Sequence, residues 1–114
     1  MTQHSTLSPD RWRTFGSERQ LLMVANEMNR ARSSLEPQYE RSRRLAYERV
    51  LALTDLTIEV TERRGLRLEL LRWRDLVAEM YTREADPTAH AAASRALFSL
   101  SPAGRGQLRA MGDR

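Results

Sequence analysis

The chain has 114 residues, of which 40% are hydrophobic and 30% charged, and its formal net charge is +4 at pH 7. This length and balance predict one folded domain with a single core, and they exclude a wholly disordered chain. All 19 basic residues are arginine and there is no cysteine, which excludes disulfides, thiolate metal sites, cysteine nucleophiles and lysine Schiff-base chemistry.

Capping residues and glycine mark the first helices of the chain. Ser8 followed by proline is typical of a helix start, so a short helix is predicted there, and Gly16 is expected to interrupt it. Ser17 with Gln20 three residues later forms a capping-box pattern. The first main helix is therefore predicted over residues 17–34.

A long helix is predicted over residues 37–63, beginning at Pro37, because the residue before a proline disfavours the α region. At 1.5 Å per residue it would be about 40 Å long. From Val50 to Val60 it is hydrophobic on most sides, which predicts a central position. Two arginines followed by Gly65 are typical of a helix C-terminus, so the helix is expected to end before that glycine.

Two further helices follow the central one. Hydrophobic residues recur at helical spacing from Leu66 to Tyr81, and Asp86 with the next proline predicts the start of an alanine-rich helix that continues to Leu100. The chain contains no alternating strand pattern with hairpin turns. We therefore expect an all-α fold, an up-and-down bundle of about four helices with a long central second helix.

The expected domain covers residues 9–100, with a flexible N-terminus at 1–8 and a loose, glycine-containing C-terminal tail at 101–114. Residues 1–8 lack the hydrophobic run of a signal peptide, and no stretch approaches the roughly 18 apolar residues of a transmembrane helix. These features predict a cytoplasmic protein without a membrane partner.

Several polar side chains interrupt the hydrophobic pattern of the central helix. Asp55 and Glu59 lie one turn apart on the same face, a spacing at which two carboxylates can act as acid and base. The favoured alternative is a buried polar network, in which the two carboxylates pair with arginines of neighbouring helices such as Arg72, and Asn26 donates a hydrogen bond across the bundle.

Clusters of arginine are the second candidate site. Arginines can neutralise nucleic-acid phosphates, but here acidic residues alternate with them along the helices and weaken any field of a single sign. Their more ordinary role is on solvated helix faces. The candidate RNA contacts are Arg41, Arg43, Arg44, Arg63, Arg64 and Arg67.

Arg83 and His90 are separated by six residues. This pair resembles the Arg-x(4-6)-His signature of the HEPN superfamily, helical proteins that include metal-independent RNases acting as dimers. The resemblance covers eight residues and implies that Arg83 would stabilise phosphate charge and His90 would act as acid or base. The alternative for His90 is a first-turn histidine that faces solvent or packs on the bundle.

The sequence contains no Glu-x-x-His pair or other metal-ligand spacing, so no metal and no cofactor is expected. The hydrophobic stripes on the central helix and on the following one exceed what four short helices need to bury. The leading hypothesis is therefore a non-enzymatic protein that acts by association, as a homodimer or an accessory subunit. The alternative is an RNA-binding or HEPN-like RNA-cleaving bundle.

Overall fold

The computed structural model describes residues 7–101, and every regular element in this range is helical. The all-α prediction is confirmed for these residues. The predicted flexible N-terminus and loose tail lie outside them except for residues 7, 8 and 101. The α-helices are α1 (Pro9–Arg13), α2 (Ser17–Arg32), α3 (Glu40–Val60), α4 (Arg64–Thr82) and α5 (Pro87–Phe98), and one turn of 3-10 helix at Pro37–Tyr39 precedes α3.

Two helix starts have the caps that the sequence predicts. The Ser8 side chain accepts a hydrogen bond from the Arg11 backbone N–H at 3.1 Å, and the Asp86 side chain accepts one from Ala89 at 3.0 Å. Each capping residue is followed by a proline at the first helical position, where the missing N–H is not needed.

The capping box predicted for Ser17 and Gln20 is wrong, because α2 begins in a different way. Gly16 occupies the capping position with a φ of 79°, a left-handed conformation that glycine adopts without strain, and Ser17 is already helical. Gln20 is buried and donates instead to the Trp12 backbone carbonyl at 2.9 Å. Its amide therefore joins α2 to α1.

The central helix is shorter than predicted at both ends. The chain forms the 3-10 turn before α3, and at Thr61 it leaves the α region, with a ψ of 120°. Gly65 lies within the first turn of α4 and does not follow the end of α3, so the predicted C-terminal signature is wrong. The helix ends at Val60, three residues before the predicted end at residue 63.

Helix α3 lies between α2 and α4 and contacts both. Toward α2, the Arg49 side chain donates to Glu27 at 3.0 Å. Toward α4, the Arg74 guanidinium donates two hydrogen bonds to the Asp55 carboxylate. The distance from Arg74 Nη2 to Asp55 Oδ2 is 3.3 Å. These three helices form one layer.

The remaining helices, α1 and α5, pack on the inner face of this layer. Trp12 of α1 reaches Thr57 of α3, whereas His90 of α5 reaches Tyr47 near the other end of α3. The smallest dimension of the molecule is 19 Å, the thickness of two helix layers. The largest fully buried hydrophobic side chains are Trp12, Tyr47, Met28, Leu53, Leu70, Leu97, Val24, Val50 and Val77.

Candidate functional site

A cavity of about 610 Å³ lies between α2 and α5. Its polar lining comes from three residues of α2 and three of α5, and hydrophobic side chains form the remaining wall. The polar residues are Asn26, Asn29, Arg32, His90, Ser94 and Arg95, and the others are Leu22, Ala25, Leu35, Pro87, Ala91 and Phe98.

His90 forms the deepest polar part of this lining. Only 3% of the residue is exposed, and its Nδ1 lies 2.9 Å from the Tyr47 hydroxyl. It shares the inner face of α5 with Ala93 and Leu97, at a three-and-four spacing that the sequence already contained. That spacing favours a histidine that packs on the bundle over one that faces solvent. In the structure His90 packs on the bundle.

Burial lowers the pKa of His90, and the positive charge of Arg32 lowers it further, while the Met28 backbone acts in the opposite direction. Burial also raises the pKa of Tyr47. Both groups are therefore uncharged at neutral pH, and the Tyr47 hydroxyl and Nδ1 of a neutral imidazole share a hydrogen bond. The other ring nitrogen, Nε2, is buried without a hydrogen bond of normal geometry among residues 7–101.

The two residues of the HEPN-like pair do not meet in this chain. The Arg83 side chain is 73% exposed and pairs with Glu79 at 2.7 Å. It lines a separate cavity of about 310 Å³ between α4 and α5, whereas His90 lines the cavity toward α2. Within one subunit the two groups therefore lie at different cavities, whereas the HEPN resemblance implies that they meet across a dimer interface.

The predicted polar network is not buried, although Asp55 of α3 does pair with an arginine of the neighbouring helix α4. Asp55 is exposed and its partner is Arg74, and Glu59 and Arg72 are both exposed. Asn26 lines the α2–α5 cavity, away from these carboxylates. Helical spacing correctly put Asp55 and Glu59 on one face, but this face is the outer face of the layer.

Glu27 and Arg43 are two buried charged residues that the predicted polar network did not include. Glu27 is buried between α2 and α3, where its carboxylate accepts from Arg49 and from Arg30 at 3.2 Å. Arg43 is only 2% exposed and its Nη2 donates to the Arg83 backbone carbonyl at 3.4 Å. Both share helical spacing with hydrophobic core residues, which is the signal that could have identified them.

Burial makes the prediction of Arg43 as an RNA contact wrong. The other five candidate arginines are exposed but divide between the two ends of α3. Arg41 and Arg44 lie in its first turns, and Arg44 pairs with Glu40 at 3.0 Å. The candidates Arg63, Arg64 and Arg67 lie at the turn into α4.

Among residues 7–101, no group of three or more metal-ligating side chains comes together, and no helix in this range is long and apolar enough to cross a membrane. No protein-family model matches the chain, and no curated protein or solved structure is significantly similar to it. Its function must therefore be argued from the geometry.

Proposed function

We propose that this protein acts by association, as a homodimer formed through the outer face of α3. The observation that carries the proposal is a hydrophobic stripe of Leu45, Ala52 and Leu56, which we call the α3 stripe. In a helix, residues at this spacing lie on one face, and this face points away from α1 and α5.

The α3 stripe lies between the contacts that α3 makes with its neighbours in the layer. Arg49 marks the side that faces α2, and Asp55 marks the side that faces α4. Leu45 is 48% exposed and Ala52 is partly exposed. Leu56 is partly buried and packs against the core, so only its remaining exposed surface completes the stripe. A central helix with a hydrophobic outer face is typical of a surface that a partner covers.

The charges beside the stripe favour a second copy of this chain as that partner. Arg41 lies at the N-terminal end of the same face and Glu59 at its C-terminal end, and both are exposed. When two α3 helices pack antiparallel about a twofold axis, Leu45 comes opposite Leu56 and Arg41 comes opposite Glu59. Ala52 lies near the centre, where a small side chain permits close approach. An isologous interface needs this self-complementarity.

Within this proposal the subunit is an up-and-down bundle in which α1 and α5 share the fourth helix position. The role is structural and non-enzymatic: one face binds the second copy, and the remaining faces are free to bind further protein.

Sedimentation equilibrium of the wild-type chain at micromolar concentration tests this proposal, and we expect a dimer. Leu45→Glu places a charge in the proposed interface and should give a monomer. The matched control is Leu68→Glu on α4, because Leu68 is 47% exposed and lies outside the stripe. A monomeric wild-type chain contradicts the proposal, as does equal loss of the dimer in both variants.

Charge reversal tests the antiparallel arrangement itself. Arg41→Glu and Glu59→Arg each put like charges opposite one another, and each should weaken the dimer. The double variant restores opposite charges and should recover it. If the double variant loses as much dimer stability as the two single variants together, the two residues are not neighbours across the interface.

RNA binding is the second candidate function, and one end of the molecule favours it. Arg13 and Arg63 line a cavity of about 270 Å³ beside the turn into α4, with Glu62 as its one acidic lining residue. Arg64 and Arg67, in the first turn of α4, are exposed. Binding of single-stranded RNA there should weaken steeply with salt. Arg63→Gln with Arg67→Gln should reduce it, whereas Arg72→Gln, at an exposed site elsewhere on α4, should not.

A further inference from the structure

We propose that the cavity between α2 and α5 is a binding site for a small organic anion, a carboxylate with a hydrophobic body. This site is separate from the α3 stripe and goes beyond the proposed association. The inference rests on the charge of the cavity lining, on its hydrophobic wall and on the polar groups that converge there from two helices.

The charge of the lining favours an anion. Arg32 on α2 and Arg95 on α5 line the cavity from opposite sides, and none of its lining residues is acidic. The positive charge of Arg32 also acts on His90, the most buried polar residue of the lining, since it contributes to the lowered pKa of His90. Two guanidinium groups on different helices can bind the two oxygens of one carboxylate.

The neighbouring cavity between α4 and α5 has a mainly acidic lining. Glu79, Glu84 and Asp86 line it, with Arg83 as its single basic residue. The same helix, α5, therefore has an acidic cavity on one side and a basic cavity on the other. This contrast indicates that the positive lining toward α2 is a property of that cavity and does not simply reflect an arginine-rich chain.

Polar side chains of the cavity are available to a ligand. Asn26, Asn29 and Arg32 follow one another at three-residue spacing along α2, so they lie along the same side of the helix. Within residues 7–101, no hydrogen bond or ion pair engages the side chains of Asn26, Asn29, Arg32 or Arg95. Their donors are free to bind an oxygen-rich group.

The size and wall of the cavity define the rest of the ligand. A volume of about 610 Å³ falls within the usual range of roughly 300–1,000 Å³ for small-molecule sites. Leu22, Leu35 and Phe98 provide hydrophobic surface beside the arginines. A ligand with a carboxylate head and a hydrocarbon or aromatic body matches this combination. The hydrogen bond between His90 and Tyr47 fixes the most buried polar residue of the lining.

A titration of the full-length, nitrogen-15-labelled protein tests the site by NMR with three probes of the same chain length: octanoate, 1-octanol and octylammonium. We expect saturable shifts of α2 and α5 amides with octanoate. Affinities for the other two should be about tenfold lower or worse, a difference of about 1.4 kcal/mol, because neither offers a carboxylate to the arginines. Higher salt should weaken octanoate binding.

Variants identify the residues that bind the carboxylate. Arg32→Gln and Arg95→Gln should each weaken octanoate binding about fivefold or more, and Arg72→Gln, on the outer side of α4, should leave it unchanged. Thermal unfolding of each variant checks that the fold is intact. Equal affinity for all three probes overturns the proposal, as do shifts spread over other helices, or an absence of saturation.

The same protein samples separate this inference from the proposed homodimer. Leu45→Glu should abolish the dimer and still bind octanoate with wild-type affinity. Conversely, Arg32→Gln should lose octanoate binding and keep the wild-type sedimentation behaviour. Loss of octanoate binding in Leu45→Glu with an intact fold would contradict a site formed by α2 and α5 of one subunit.

Discussion

The Trp12 indole nitrogen donates a hydrogen bond to Thr57 Oγ1 at 3.0 Å, and the same hydroxyl donates to the Leu53 backbone carbonyl at 2.7 Å. Thr57 thus acts as donor within α3 and as acceptor from α1. Both Trp12 and Thr57 are completely buried. This contact, together with the bond from Gln20 to the Trp12 carbonyl, holds the short helix α1, which has five residues and could not be stable alone.

Thr57→Val should therefore destabilise the fold by about 1–3 kcal/mol, because it leaves the buried indole N–H without an acceptor. Thr54 is the matched control: it is equally buried, and its hydroxyl donates to the Val50 carbonyl of its own helix. Thr54→Val should change the free energy of unfolding by less than about 0.5 kcal/mol. Urea denaturation of both variants measures the difference, and equal costs would contradict the role assigned to Thr57.

The two described glycines should respond in opposite directions to alanine. Gly16 has a φ of 79°, so Gly16→Ala should destabilise the protein by about 1 kcal/mol, although no neighbouring atom obstructs a Cβ there. Gly65 is helical and equally unobstructed, so Gly65→Ala should stabilise it by about 0.5–1 kcal/mol. Thermal unfolding should show a lower midpoint for the first variant and a higher one for the second.

The ion pair of Glu27 and Arg49 should show strong coupling, because both side chains are mostly buried between α2 and α3. Glu27→Met leaves Arg49 without this carboxylate and should cost about 2–3 kcal/mol, while the double variant with Arg49→Met should recover most of the loss. A double-mutant cycle by chemical denaturation measures the coupling energy. Additive losses would show that the pair contributes little.

Protonation of His90 should make stability fall in mildly acidic solution. Burial lowers the pKa of His90 below its ordinary value of 6.5 in the folded state, so the unfolded chain takes up this proton first as the pH falls. The contribution of neutral His90 is complete above pH 6.5 and is lost as the pH falls from there through the folded-state pKa.

His90→Gln removes this titration and keeps a polar group near Tyr47. Its free energy of unfolding, measured between about pH 7.5 and pH 5.5, should vary less with pH than that of the wild type. The comparison concerns the slope, so a uniform loss of stability in the variant does not affect it. Parallel curves for the two proteins would show that His90 is not the group responsible.

Local signals in the sequence identified the helices well. Ser8 and Asp86 were recognised as caps because a cap depends on a few neighbouring residues and on the proline that follows. The capping box at Ser17 failed because Gly16 offered a turn that no other residue forms as easily, and a distant carbonyl then engaged Gln20. That competition depends on tertiary packing, which local patterns do not contain.

The candidate site was harder to predict than the fold. Periodicity assigned Asp55 and Glu59 to one face but did not indicate whether that face was inside or outside the bundle. The choice depends on where α1 and α5 pack, and this is a non-local property. The α2–α5 cavity was missed for the same reason, since Arg32 and Arg95 are 63 positions apart in the printed sequence and only the fold brings them to one place.

Two hydrogen bonds join one turn of α5 to two different helices. His90 bonds to Tyr47 of α3, and three residues later the Ala93 carbonyl accepts from the Trp73 indole of α4 at 2.7 Å. Leu97, one turn further along α5, is buried on the same face, so core packing as well as these two bonds sets the orientation of the helix. The α5 side of the α2–α5 cavity, including Phe98, is therefore already in position before any ligand binds.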